Sequence, residues 1–228
     1  MEAILKSLMV RYRWVAYLGL GLAMTSFLAT LFGARARATY LAADKVTRET
    51  AAAGSSLIDA NARAESISAW TPAIAFLGLG LLLVAIVMAL GLIHNNLRES
   101  GAVVMARWPS RLNFGVPSES LVAWLFPLTA LIGLLALLAA SVWAFSLIPS
   151  VTSYWNHSIT YELEPAKPGS VLLDQLGRIQ GTLYWIALLR FLGLGLLFAS
   201  IAMALVLVIR TLQFQEVALL VFLKTRLR

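Results

Sequence analysis

The sequence predicts an all-α integral membrane protein with four transmembrane helices, arranged as two tandem, parallel-related helical hairpins and carrying two sizeable external loops. Three observations predict it. Of the 228 residues, 60% are hydrophobic and 13% charged, against about 25% charged in a soluble domain. The charges gather between four apolar runs, each reaching the ~20 residues that cross a bilayer as a helix. Finally, Phe76-Leu-Gly-Leu-Gly-Leu-Leu82 returns letter for letter as Phe191-Leu-Gly-Leu-Gly-Leu-Leu197. At this offset of 115, residues 76–97 and 191–212 agree at 13 of 22 positions. Seven of those are Leu, which any lipid-facing segment supplies, but Phe76, Gly78, Gly80, Ile86, Met88 and Ala89 are harder to obtain by chance. The pattern reads as a duplicated two-helix unit, 1–120 followed by 121–228.

In the first unit, Lys6, Arg11 and Arg13 precede a span at about 14–33 that carries no charge. The basic start and the small-residue pattern Ala34-Arg35-Ala36 also fit a cleavable signal; a retained anchor is the expectation. Residues 34–71 form an external loop, polar, rich in Ala and free of Pro. Tyr40, Ala43, Val46 and Ala53 share one helical side, as do Ile58, Ala62 and Ala69, with Gly54-Ser55-Ser56 between them, which suggests a helical hairpin or a bent helix. The second span, about 72–93, takes Pro72 in its first turn and ends at His94-Asn95-Asn96. Residues 94–120 then form a basic cytoplasmic loop with Arg98, Arg107, Trp108 and Arg111, suited to the headgroup surface. Its Pro109, Gly115 and Pro117 argue against one continuous helix.

The second unit opens with a span at 121–148, capped by Ser118-Glu119-Ser120 and kinked near Pro127. At 28 residues it is longer than the ~30 Å hydrocarbon core requires, so it tilts or protrudes. The external loop 149–182 alternates as a strand would over Ser158–Glu164, and Ser170 is placed to cap a helix through Leu172, Leu173, Leu176 and Ile179. The fourth span covers about 183–209. Beyond it lies an amphipathic segment, 211–228, too short in its apolar part to cross again; it is either an interfacial helix or an extension of the fourth span resting on a neighbour.

Orientation follows from charge. The N-terminus, loop 94–120 and C-terminal tail hold ten Lys and Arg against four acids, and the other side holds eight against seven. Net charges of +6 and +1 put both termini in the cytoplasm. Trp14, Trp70, Trp124, Trp143 and Trp185 lie at or near span ends, where indoles favour the headgroup region. The expected home is a bacterial inner (plasma) membrane. The overall +7 is explained by this bias, so nucleic acid is not an expected partner; lipid and other membrane protein subunits are.

Residues that could carry chemistry are sparse. There is no Cys, hence no disulfide, thiolate metal site or thiol nucleophile within the chain. His94 and His157 fall on opposite predicted faces, which argues against a bis-histidine haem. No cofactor and no metal are expected. Arg190 is the one charge within an apolar stretch and aligns with Ala75; it either snorkels to the headgroups or pairs with Glu162, Glu164, Asp174 or an acid of a partner subunit. The packing candidates are small residues: Gly78, Gly80, Ala85 and Ala89 in one copy, with Gly193, Gly195, Ser200 and Ala204 in the other, and Gly19 with Ala23 in the first span. Arg107, Trp108 and Arg111 are the candidates for a cytoplasmic contact. The expected role is a non-catalytic scaffold, anchor or accessory subunit of a larger membrane complex. A channel or transporter built by oligomerisation stays open, as does a redox or quinone-associated subunit that borrows ligands from its partners.

Overall fold

The structure, a computed structural model, describes residues 10–106, 121–157 and 171–226. Six helices make it up: α1 (Tyr12–Ala42), α2 (Lys45–Thr50), α3 (Ser56–Ala106), α4 (Leu121–Ser146), α5 (Ile148–Trp155) and α6 (Val171–Arg226). No strand occurs among the described residues. Four helical stretches, in α1, α3, α4 with α5, and α6, are long and apolar enough to cross a membrane. The alternation at Ser158–Glu164, the cap at Ser170 and the loop residues Arg107, Trp108 and Arg111 lie outside the described residues.

α3 is the centre of the arrangement: α1 packs along it, and α4, α5 and α6 meet it as well, while α4 also packs along α6. Helices in lipid gain nothing from hiding apolar surface from one another, so close backbone approach at small residues holds them together. Tyr17, Phe27 and Phe32 on α1 are accordingly left exposed, as is Trp14 near the start of the helix.

The polar stretch after the first span folds as helix on both sides of a turn. α1 runs on to Ala42, and Asp44 caps α2 by accepting a hydrogen bond from Thr47 N at 3.2 Å. Gly54 turns the chain with φ of 76°, a region that costs glycine nothing. Ser55 then begins α3, its carbonyl accepting from Asp59 N at 2.9 Å. Ile58, Ala62 and Ala69 are buried on one face of α3, as their spacing suggests. Arg37 of α1 and Glu65 of α3 form an ion pair across the two helices.

Three helix boundaries differ from the sequence reading. Pro72 lies deep inside α3 and not in a first turn, because the helix starts at Ser56. Carbonyls beside it meet hydroxyls of other helices: Ser26 Oγ of α1 donates to Thr71 O at 2.8 Å, and Ser141 Oγ of α4, bonded to Leu137 O of its own helix at 2.8 Å, lies 3.3 Å from Ala73 O. The helix does not end at His94-Asn95-Asn96, since α3 continues to Ala106. The third span breaks at Leu147: Pro149 has no N–H to offer Phe145 O, and the chain restarts as α5 with Val151 N bonded to Leu147 O at 2.9 Å. The tail takes the second of its two expected forms: it continues α6 to Arg226 and rests on α3 through Gln215 Nε2, which donates to Leu97 O at 2.7 Å.

Candidate functional site

Two glycine crossings organise the interior. A Cβ built on Gly78 would stand 2.7 Å from Gly19 O and 2.8 Å from Ala23 N, so α1 and α3 touch backbone to backbone. A Cβ on Gly193 would stand 2.8 Å from Gly133 O and 2.7 Å from Leu137 Cγ, so α4 and α6 touch in the same manner. Around Gly19 the nearest atoms come from Gly78, Leu82 and Leu81; around Gly133 they come from Gly193, Leu197 and Leu196. Each residue of the first set maps onto the second at the offset of 115.

The other two repeat glycines part company. Gly80 faces Leu137 and Leu197, whereas a Cβ on Gly195 would meet nothing within 4 Å. Ala85, Ser200 and Ala204 are buried, and Ala89 is half-buried. The divergence of Ala85 into Ser200 has a structural purpose, since Ser200 Oγ donates to Phe126 O of α4 at 2.6 Å. Span hydroxyls thus bond to helix carbonyls, which meets their polar demand without lining a path.

Where α3 meets α6, equivalent residues touch. The rings of Phe76 and Phe191 lie edge to face with centroids 5.8 Å apart. Beside them the Arg190 guanidinium carbon stands 5.9 Å from the Phe76 ring centroid, an attractive arrangement for a cation over an aromatic face. Arg190 is only 8% exposed, and its Nε and Nη2 have no acceptor among the described residues. It belongs to the inward stripe of α6 that includes Ile186, Gly193, Leu197, Ser200 and Ala204, and is therefore not laid out along a lipid-facing surface. Asp174 is no partner for it: sixteen residues along one continuous helix put them ~24 Å apart. Glu162 and Glu164 lie outside the described residues.

At the far end of the same helix pair a polar layer follows. Thr211 Oγ1 and His94 Nδ1 are 3.2 Å apart, and Gly101 lies against Gln215. His157 Nδ1 is 3.2 Å from Tyr154 O, so the two histidines are not brought together. No group of three metal-ligating side chains occurs among the described residues.

The repeat reaches further than the span comparison detects. Leu57, Asp59, Arg63 and Trp70 of α3 recur as Leu172, Asp174, Arg178 and Trp185 of α6 at the same offset of 115. Asp59 and Asp174 both stand in the first turn of their helix, where a carboxylate complements the exposed N–H groups. Extending the same alignment into the polar loops finds these identities.

Four apolar helices joined through glycine crossings define a multi-pass helical membrane protein. Comparison of the chain with protein-family models, curated proteins and solved structures finds no match.

Proposed function

We propose that the chain is a non-catalytic scaffold, anchor or accessory subunit of a larger membrane protein complex, built from a duplicated helical hairpin with its two units related by an axis along the membrane normal. The duplication reading is supported by the two glycine crossings, in which Gly78, Leu81 and Leu82 recur as Gly193, Leu196 and Leu197 at an offset of 115, while the glycines they meet, Gly19 and Gly133, lie 114 apart. Both termini are assigned to the cytoplasm of a bacterial inner membrane on the Lys and Arg count.

The observation that carries the subunit reading is how the polar groups of the spans are used. Ser26 and Ser200 each give their hydroxyl to a carbonyl of a neighbouring helix, so they work as interhelical ties, and Ser141 bonds to Leu137 O of its own helix at 2.8 Å with Ala73 O of α3 at 3.3 Å. Polar side chains kept inside a membrane for transport line a cavity instead. Meanwhile α3 and α6, at 51 and 56 residues, are ~76 and ~84 Å long and reach well past a ~30 Å hydrocarbon core. Such projecting rods offer surfaces for docking other chains.

The test is extraction of the native membrane in a mild detergent, capture through a C-terminal tag and identification of stoichiometric companions. One or more membrane proteins should elute with the chain in a fixed ratio. Recovery of a lone, stable monomer at native expression level counts against the reading.

A further inference from the structure

We propose that Arg190 is a lipid-recognition residue, binding the phosphate of an anionic phospholipid headgroup between α3 and α6 at the end of the bundle that carries Trp70 and Trp185. A guanidinium enclosed in an apolar surround is costly unless an anion accompanies it. The two nitrogens shielded without an acceptor, Nε and Nη2, form the side-on edge of the group. That edge presents two parallel N–H bonds, the fork that fits two oxygens of one phosphate or carboxylate.

Position favours a lipid as the source. Arg190 lies five residues beyond Trp185, ~7.5 Å along the axis, and helical side chains lean toward the helix N-terminus, so the guanidinium rises back toward the indole level. Indoles mark the headgroup region. Phe191, the next residue, is 67% exposed, which puts the acyl chains one side chain away from the site. A headgroup reaches these shielded nitrogens by displacing the Phe76–Phe191 edge pair, a movement of side chains, whereas a rigid partner helix would have to part α3 from α6. In the other copy Ala75 replaces the cation, so the duplicated scaffold holds together without it. This inference goes beyond the subunit reading and stands whether or not a partner complex exists.

The purified full chain, delipidated in a mild non-ionic detergent, is titrated with phosphatidylglycerol, with phosphatidylcholine of the same acyl chains and with oleate, and bound lipid is counted by native mass spectrometry. The expected result is one phosphatidylglycerol per chain held about tenfold more tightly than phosphatidylcholine. Arg190→Leu should abolish the preference, and Arg190→Lys, which keeps charge but not the fork, should retain only part of it. Equal affinity for the two phospholipids in the unaltered protein overturns the proposal, and does so even if Arg190→Leu fails to fold. Tighter binding of oleate overturns the phosphate assignment in favour of a carboxylate. A tenfold gain in phosphatidylglycerol affinity in the Glu162→Gln, Glu164→Gln double variant overturns it too, because a loop carboxylate would then occupy the fork.

Discussion

Gly78 of α3 and Gly19 of α1 approach until a Cβ on Gly78 would lie 2.7 Å from the Gly19 carbonyl oxygen. The obstructing atom is backbone, which has no rotamer to change, so any larger residue must push the helices apart.

Gly78→Leu and Gly193→Leu should each cost about 1–3 kcal/mol through overpacking, read as a lowered thermal midpoint by circular dichroism in detergent. Gly195→Ala should behave in the opposite sense. Nothing lies within 4 Å of its added methyl, and replacing helical glycine by alanine gains up to about 1 kcal/mol. A Gly195→Ala variant as damaged as Gly193→Leu would contradict the packing described.

Ser26→Ala and Ser200→Ala each remove one interhelical hydroxyl bond, of 2.8 and 2.6 Å. Bonds of this kind between membrane helices average about 0.6 kcal/mol, so each variant should lose a small, measurable amount of thermal stability. The double variant should lose the sum, because the two bonds lie in different helix pairs and share no partner.

Acid should loosen α2 first. The hydroxyl of Thr47 and then its N–H hold the Asp44 carboxyl below its ordinary value. A depressed folded-state pKa stabilises above the unfolded value, about 3.9 for Asp, and that help is lost as pH falls through the folded value. The protection of amides 45–50 from exchange, relative to the unfolded chain at the same pH, should therefore fall below about pH 4. Asp44→Ala should show the lowered protection already at neutral pH, and Asp44→Asn, an equally good cap, should not.

Topology can be read without background because the chain holds no Cys. In single-cysteine variants of inside-out and right-side-out vesicles, Thr47→Cys and Gln175→Cys should react with a membrane-impermeant maleimide from the external face, and Gln213→Cys from the cytoplasmic face. Labelling of positions 47 and 175 from opposite faces would break the parallel-hairpin assignment.

The four apolar crossings were legible because length and composition alone decide them. Helix ends were less so. His94-Asn95-Asn96 resembles a stop by polarity, yet no glycine or proline is there, and Thr211 and Gln215, more than a hundred residues away, supply polar contacts that let α3 continue. The break at Leu147 was written locally, in Pro149, but was hidden within an apolar run. Arg190 stands out in the sequence as the one charge within an apolar stretch, but its inward aim is less evident. Its spacing of three and seven residues from Gly193 and Leu197, on the stripe shared with Ser200 and Ala204, carried that information. The difference between Gly80 and Gly195 was illegible in principle: identical letters in identical contexts meet different neighbours once the second unit lies against the first.

α6 is unbroken from Val171 to Arg226, and less than half of its ~84 Å lies within a ~30 Å hydrocarbon slab. A thinner or thicker membrane that altered its tilt would move its two ends in opposite directions and carry α3 and α4, which pack against it, along with them.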